Sequence, residues 1–564
     1  MTQHGKYETK ILVLDDERLI RLAVCARLKS AGYDSVSVGT VQEAVSILKG
    51  HHRSFSAIIS DIMMGDMDGF VFRDIVRGID ESIPFFFMTA LDPEEGSGFL
   101  KKILVDPMSY YLPKSAGTEV LMKRLQRVVG ARRIQHFVEN QVQEQRKSLA
   151  LAAHVQRSML SPRAFVDTIG FYVTWWRPHE SVSGDLYEAI SLPRGMMLFV
   201  LGDIQGHGTN AALVMMAVQA FLRQMVEANL RDARSIAPEI VANGLHAFFR
   251  TNFAEVSYMT ALICIHSPPS PDGVRPDVVS YITCGAPDLV VIDPVAQCIV
   301  PVNPSKRGGL PIGMMPDTEY SADDTVAVEL PRGVVCAAVT DGLLDISRDG
   351  EGSEKVPRDL LKRLGFEVLG DACALGSLVA APYKFAKACA EFGYNKFNDD
   401  VTVMLFGARW HLDGVYEATT FLSPALVDAA VRDMAAWCAA RGWADELSGR
   451  LQLVLGEVLM NVYDHGFDDL QRSKDVVGVR LRRTRDNAEL TVWDCGRPPP
   501  SMKVAAGVTS TALEIVNKGM SDHGRGRLMV RQLCSGIQRQ RFVNLNETVF
   551  YIPWNNAEKG VQTA

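Results

Sequence analysis

Four short stretches of this chain each set an aspartate among glycines or small residues. They are Val182-Ser183-Gly184-Asp185, Gly202-Asp203-Ile204-Gln205-Gly206-His207-Gly208, Thr340-Asp341-Gly342 and Asp399-Asp400-Val401-Thr402. The second follows the apolar run 196–201 and the third the run 334–339, so each aspartate is placed at the end of a buried strand. Carboxylates at strand ends, with glycine permitting close backbone approach, suit a hard divalent cation that takes oxygen ligands. A single Asp-Gly is an ordinary turn; four in fixed order point to a site.

A second set lies between residues 10 and 129. Apolar strands are expected at 11–14, 55–60, 83–89 and 108–112, alternating with helix patterns at 18–30 and through Val129. That alternation predicts a parallel sheet with helices on both faces, which binds ligands at the carboxyl ends of its strands. Asp15 and Asp16 end the first strand, Asp61 another, Thr89 the next, and Lys114 follows the last, so all five collect on one edge. Clustered carboxylates repel one another until a cation arrives.

A third set follows residue 409. Leu451, Val454, Leu455, Val458, Leu459 and Val462 form the apolar face of a helix at 451–463, and Glu457 and Asn461 share one stripe beside it. Asp494 and Gly496 follow an apolar strand, and Gly524 and Gly526 precede another helix pattern. Glycine-rich turns before a helix present backbone N–H groups to phosphates.

At 564 residues the chain exceeds one core and should divide into three or four domains. Its 47% hydrophobic and 22% charged residues are globular values, and a net charge of −7 gives no reason to expect nucleic-acid binding. No apolar run approaches the roughly 20 residues of a membrane span, and the amino terminus lacks a signal peptide's apolar core. The ten cysteines contain no C-x-x-C pair, which predicts free thiols and a cytoplasmic, reducing setting. Cys25, Cys264 and Cys336 lie in apolar stretches and read as core thiols.

The four aspartate stretches together resemble the SpoIIE/RsbU branch of the PP2C (PPM) serine/threonine phosphatases. Residues 156–162, 258–261, 284–287 and 309–313 match further signatures of that family, and Ser183 stands where it often has a second glycine. The resemblance implies that Asp203 bridges two Mn²⁺ or Mg²⁺ ions. Asp185 and the Ile204 carbonyl would complete one site, and Asp341 and Asp399 the other. Asp399 is chosen over Asp400 because the family ligand takes the first acidic position of Asp-Asp-x-Thr. His207 can serve as an acid or pack locally in its turn.

The amino-terminal set resembles a two-component receiver domain. By that resemblance Asp61 is the phosphoacceptor, and Asp15, Asp16 and Asp61 hold Mg²⁺. Thr89 and Lys114 contact the phosphoryl group, and Tyr111 is the switching aromatic. Gly65 and Ser115 replace prolines common there. The carboxyl-terminal set resembles the GHKL ATPases, specifically anti-sigma-factor serine kinases such as SpoIIAB and RsbW. Asn461 would ligate the Mg²⁺ of Mg·ATP, Asp494 would bind the adenine amino group, and Gly496, Gly524 and Gly526 would shape the nucleotide pocket. Glu457 would be the base toward a protein serine. The sequence Asn546-Glu547-Thr548 lacks the glycine often found before that threonine.

The expected fold is therefore multidomain α/β and α+β. It comprises a flavodoxin-like receiver (1–130), a helical linker, coiled coil or solvated (131–160), a PP2C-type α/β/β/α sandwich (161–410) and a GHKL (Bergerat) α/β sandwich (411–564). The joint resemblance is to response regulators of bacterial partner switching. It implies a histidine kinase or phosphotransfer protein upstream, a STAS-type anti-sigma-factor antagonist as substrate, a sigma or anti-sigma factor as further partner, and a homodimer without nucleic acid or membrane. The alternative is a non-enzymatic adaptor that sequesters a sigma factor or antagonist. The four retained aspartates favour catalysis.

Overall fold

The computed structural model describes residues 10–554 except 65–66, 91–101, 104, 116–117, 167–169, 233, 254–256, 271–274, 301, 303–308, 349–353, 409–413, 468–475, 498–524 and 543–544. The chain divides into two compact units, Met1–Ser148 and Leu149–Ala564.

In the first unit, strands β1 (Lys10–Leu14), β2 (Asp34–Val38), β3 (Phe55–Asp61), β4 (Phe85–Thr89) and β5 (Ser109–Pro113) form one parallel sheet in the order β2-β1-β3-β4-β5. Successive side chains point to opposite faces, so the apolar strands build two cores. Leu12, Ile58, Phe85 and Phe87 pack with Leu48 of helix α2 (Val41–His51) and with Phe72 and Val76 of α3 (Gly69–Ile79). Ile11, Val13, Ile59 and Phe86 pack with Val24 and Leu28 of α1 (Arg18–Ser30) and with Leu121 and Leu125. This is the flavodoxin-like receiver fold expected from the alternating pattern.

The closing helix does not stop at Val129. Helix α4 runs 42 residues, Thr118–Met159, so the closing helix and the helical linker expected at 131–160 form one continuous element. No proline interrupts the stretch, and its Gln, Glu, Arg and Lys residues are good helix formers.

The second unit begins as two antiparallel sheets packed face to face. One holds β8 (Asp185–Ser191), β9 (Met197–Ile204), β10 (Met259–Ser267), β11 (Val278–Cys284) and β14 (Val326–Glu329) in that order. The other is ordered β13-β12-β15-β16-β7-β6, where β6 is Ala164–Val166, β7 Gly170–Arg177, β12 Val290–Asp293, β13 Cys298–Val300, β15 Val335–Val339 and β16 Val401–Ala408. Alternate residues of β16 and β7 divide between two layers. Met404, Phe406 and Tyr172 meet Phe199 and Leu201 between the sheets, whereas Val403, Leu405 and Trp175 face helices α7 (Arg358–Leu375) and α8 (Ala381–Glu391). Helices α5 (Gly208–Arg231) and α6 (Pro238–Asn252) cover the first sheet. The layering is the α/β/β/α sandwich of the PP2C fold. Helix α5 is long and apolar enough to cross a membrane, contrary to the sequence expectation that no run is; here Met215, Val218 and Leu222 insert it into the core. Among the described residues no disulfide forms; Cys264 and Cys336 are buried and Cys25 is half-buried.

After residue 413 a five-stranded antiparallel sheet follows, ordered β17-β18-β19-β21-β20. Its strands are β17 Val415–Phe421, β18 Val476–Arg483, β19 Asn487–Asp494, β20 Gly536–Phe542 and β21 Leu545–Pro553. Helices α9 (Pro424–Ala440) and α10 (Asp445–His465) cover one face, where Leu451, Val454, Leu455 and Leu459 meet Val479, Leu481, Leu490 and Val492. The other face is covered by the sandwich: Trp493, Phe542 and Leu545 share a core with Val379 and Tyr383. The Val166 backbone N–H donates to Thr419 Oγ1 at 3.0 Å across the same boundary.

Trp493 is fully buried at this junction. Trp493→Ala should destabilise the second unit by about 3–5 kcal/mol, read as a lowered urea midpoint, because the cavity cannot collapse between two sheets and a helix. A midpoint within error of wild type would show the junction to be loosely packed.

Candidate functional site

The parallel sheet brings its five polar groups to one edge. Asp15, Asp16 and Asp61 place three ligating oxygens within 4.8 Å of one another, which fits one hard cation. Lys114 Nζ lies 2.7 Å from Asp61 Oδ2 and 3.1 Å from Asp15 Oδ2. Burial opposes the Lys114 charge, but hydrogen bonds to the two carboxylates outweigh it and its pKa rises. Burial raises the Asp15 pKa against the N–H of Glu17 and the ammonium of Lys114. Asp61 Oδ1 accepts the Ile62 N–H at 2.8 Å, leaving the carboxylate fixed at the strand end. Thr89 is buried beside it, and its carbonyl accepts the Lys114 N–H at 2.7 Å. Tyr111 is half-buried, and its carbonyl accepts from Arg124.

In the sandwich, Asp185 and Asp203 are direct cross-strand partners at the ends of β8 and β9. The 3₁₀ turn Asp341–Leu343 follows β15, and Asp399 and Asp400 precede β16. A Cβ at Gly342 would lie 1.9 Å from the Asp400 carbonyl oxygen, so only glycine lets these two acidic segments meet. At Gly184 a Cβ would crowd the Ile204 carbonyl at 3.0 Å and Asp203 Oδ1 at 3.5 Å. Asp185, Asp203, Asp341, Asp399 and the Ile204 carbonyl are thus brought together at the ends of the two sheets.

Electrostatics define the character of this cluster. Burial, then Asp341, Asp399 and Asp400, push the Asp203 carboxyl up to about 8. Burial and Asp203 raise Asp185 well above its ordinary value, and burial and Asp399 raise Asp341. Among the described residues no Lys, Arg or His forms an ion pair with these four carboxylates. A set of oxygen donors without a cationic partner fits divalent cations, and three of the expected ligands, Asp185, Asp203 and Asp341, have their charged forms disfavoured.

Asp400 has a different job from Asp399. Its two oxygens accept the His179 and Gly184 N–H groups at 2.6 and 2.7 Å, tying the Asp185 loop to β16. Asp185 Oδ2 accepts the Thr340 and Thr402 hydroxyls at 2.9 and 2.5 Å. Both threonines belong to the aspartate stretches but had no role assigned from sequence; only the pairing of β15 with β16 places both against one carboxylate. His207 caps α5 in an exposed turn, its Nδ1 3.3 Å from Glu180 Oε1.

Gln156 was also missed as a site residue. Fully buried near the end of α4, it donates from Nε2 to the Ser183 carbonyl at 2.6 Å and accepts the Ser183 N–H at 3.1 Å through Oε1. Two residues after α4 ends, Ser161 Oγ donates to buried Glu188 at 2.6 Å. The end of α4 and the residues after it therefore hold the strand that Asp185 opens just before its start and at its middle.

At the end of β19, buried Asp494 accepts from the Gly496 N–H at 2.9 Å and Asn546 Nδ2 at 2.8 Å. Burial raises its pKa against those hydrogen bonds. A Cβ at Gly496 would meet the Gly466 carbonyl at 2.6 Å, so the turn closes on the carboxyl end of α10. On α10, Asn461 Nδ2 donates to Glu457 Oε1 at 2.8 Å, joining the two residues expected to act there. Gly526 lies in helix α11 (Arg525–Leu533), and Gly524 lies outside the described residues. Asn546 had no assigned role in the sequence; it pairs with Asp494 in the β19–β21 register.

Comparison with known proteins separates the chain in the same way. Residues 11–126 match the response regulator receiver domain, 193–409 stage II sporulation protein E (SpoIIE), and 422–550 the histidine kinase-like ATPase domain. Among curated proteins, the chain is 38% identical over 82 residues to the probable transcriptional regulator ycf27 of Porphyridium aerugineum, covering 14% of this chain and 33% of that protein. It is 29% identical over 140 residues to the two-component response regulator ORR21 of Oryza sativa subsp. indica, covering 25% and 19%. The chain spans a third or less of these relatives' lengths. The solved RsbU and RsbW domains of Rv1364c from Mycobacterium tuberculosis align at 17% identity over 70% of this chain and 96% of that one, with a TM-score of 0.35. The SiaA-PP2C domain of Pseudomonas aeruginosa aligns at 20% identity over 47% and 97%, with a TM-score of 0.36.

The Asp203 carboxyl gives a pH signature. A group raised from 3.8 to about 8 stabilises the metal-free fold below its unfolded pKa, and that contribution is lost as pH rises through the folded value. Relative to Asp203→Asn, wild type in EDTA should therefore melt progressively lower from about pH 5 to about pH 8 by calorimetry. Added Mn²⁺ should close the gap at the upper end. A difference that does not vary with pH contradicts the carboxylate cluster.

Proposed function

We propose that this chain, which joins a response regulator receiver, a SpoIIE-type PP2C phosphatase domain and a histidine kinase-like ATPase domain in that order, is a partner-switching regulator. Receiver phosphorylation controls which of two opposing reactions occurs at a serine of a STAS-type anti-sigma-factor antagonist. The observation that supports the phosphatase reaction most directly is the buried carboxylate group around Asp203, which lacks a cationic partner among the described residues.

Asp203, Asp185, Asp341, Asp399 and the Ile204 carbonyl would hold two Mn²⁺ or Mg²⁺ ions, which when bound would supply an activated water and charge neutralisation for phosphoryl transfer. The chain's part is positional: Thr340, Thr402 and Asp400 fix the ligands from behind. In the ATPase domain Asn461 would hold the metal of Mg·ATP, Asp494 would bind the adenine and Glu457 would take the serine proton. In the receiver Asp61 accepts the phosphoryl group from a histidine kinase or phosphotransfer protein, with Asp15, Asp16, Thr89 and Lys114 around it. The protein works in the cytoplasm as a homodimer, and a sigma or anti-sigma factor stands downstream of the antagonist.

Two outcomes test the enzymatic reading. Asp203→Asn should lose Mn²⁺-dependent hydrolysis of a phosphoserine protein by about 10²-fold or more, since each ion it anchors contributes several kcal/mol. Glu457→Gln should keep calorimetric ATP binding and lose phosphotransfer by about 10²–10⁴-fold. Wild-type protein that binds ATP and the antagonist without either reaction would make it an adaptor.

The receiver is tested separately. Beryllofluoride with Mg²⁺ should bind wild type and not Asp61→Ala, followed by ¹⁹F resonance. Equal binding by both proteins would place the phosphoacceptor elsewhere.

A further inference from the structure

We infer that the ATPase domain has a second function: through helix α8 it reports nucleotide occupancy to the phosphatase carboxylates, so that the two centres are thermodynamically coupled. The inference rests on the nucleotide and metal readings above and adds a physical connection between them.

The connection starts at the strand that carries the nucleotide aspartate. Along β19 side chains alternate, so Val492 and Asp494 face the α10 side while Trp493 faces the sandwich. Trp493 is fully buried there with Val379 and Tyr383. The next residue, Cys495, has its Sγ 3.5 Å from the Tyr383 hydroxyl. Gly478, the β18 partner of Trp493, leaves room for this contact: a Cβ there would stand 3.0 Å from Val379 Cγ1. Further along α8, the Lys387 ammonium sits 5.1 Å from the centre of the Phe542 ring on β20. The residues flanking Asp494 on either side are therefore in contact with α8 or the turn that starts it.

The opposite side of α8 faces an apolar pocket against the outer face of the second sheet. Residues 381, 382 and 385 lie about half a turn around the helix from 383, 384 and 387. Ala381, Pro382 and Phe385 line an apolar cavity of about 460 Å³. Its far wall includes Leu343 and Leu344, which directly follow Asp341-Gly342. The pocket is open to solvent on one side, with Arg358 and Lys362 in its lining, so on this side α8 is not backed by a close-packed layer. A helix clamped on the nucleotide side and slack on the other is an element whose position both ligands can bias.

Coupling of this kind must be reciprocal: whatever factor nucleotide imposes on metal affinity, metal imposes on nucleotide affinity. The test uses the full chain carrying Asp61→Ala, which removes the receiver cation site. Affinity for a fluorescent ADP analogue is measured with and without Mn²⁺, and Mn²⁺ occupancy is followed by electron paramagnetic resonance with and without ADP. The expected result is a shift of about fivefold or more in each affinity, equal in the two directions. Tyr383→Leu should bind both ligands and reduce the shift toward onefold, and Asp203→Asn should abolish the effect of Mn²⁺ on ADP. If both ligands bind and neither alters the other, the coupling is overturned and the two sites stand. If the ADP analogue does not bind, the nucleotide reading falls and the coupling with it. A shift that survives Asp203→Asn means that the metal acts elsewhere, which also overturns the inference.

Discussion

Mutual repulsion among carboxylates is the constraint that the second unit is organised around. Burial, and then Asp341, Asp399 and Asp400 around it, hold the Asp203 carboxyl at about 8. Such a cluster persists only if the backbone carrying each acid is fixed by something stronger than the repulsion. Here the fixing agents are strand pairing, backbone N–H groups and glycine contacts. Asp185 and Asp203 are locked opposite one another by an antiparallel ladder seven residues long. Asp400 uses two backbone N–H groups to hold the neighbouring loop. Gly342 lets the Asp341 turn approach Asp400 backbone to backbone. The sandwich is thus a frame that stores unfavourable charge where cations can relieve it.

Much of this frame was legible in the sequence because it depends on local pattern. Apolar runs ending in aspartate gave the strand ends, the alternation over residues 10–129 gave the parallel sheet, and the 3.6-residue spacing around Leu451 gave α10. What could not be read depends on register between distant strands. Thr340 and Thr402 converge on Asp185 only because β15 pairs with β16. The different roles of Asp399 and Asp400 follow from which side of the chain faces the Gly184 loop, a long-range fact. Asn546 meets Asp494 only through the β19–β21 register. That residues 131–159 are helical was expected; their continuity with the closing helix was not, because a polar stretch without a stripe carries no packing signal to join it to its neighbour, although its residues individually favour helix.

The junction between the sandwich and the carboxyl-terminal sheet was not foreseen at all. Trp493 and Phe542 read as ordinary strand residues, and nothing in their spacing distinguishes a face covered by its own helices from one covered by another domain. The structure resolves this by alternation. Leu490 and Val492 belong to the core made with α10, while Trp493 belongs to the core made with Tyr383 and Val379. A sheet buried on both faces needs a second covering layer, and the phosphatase supplies it.

The same strand alternation ties the carboxyl-terminal sheet to the phosphatase domain at the end of β19. One face of β19 ends in the acid expected to read adenine, and the other ends in an indole embedded in the phosphatase core. Moving either neighbour moves the peptide they share. At the opposite border of the sandwich, Gln156 binds both the N–H and the carbonyl of Ser183, two residues before Asp185. These are buried backbone groups, and leaving them unpaired would cost about 1–3 kcal/mol. The helix carrying Gln156 therefore cannot rotate or slide without either dragging the Asp185 loop along or abandoning those bonds. Asp185 is in this way held from α4 through Ser183, from β16 through Thr402, and from β15 through Thr340, which makes its position the point where displacements from separate parts of the second unit converge.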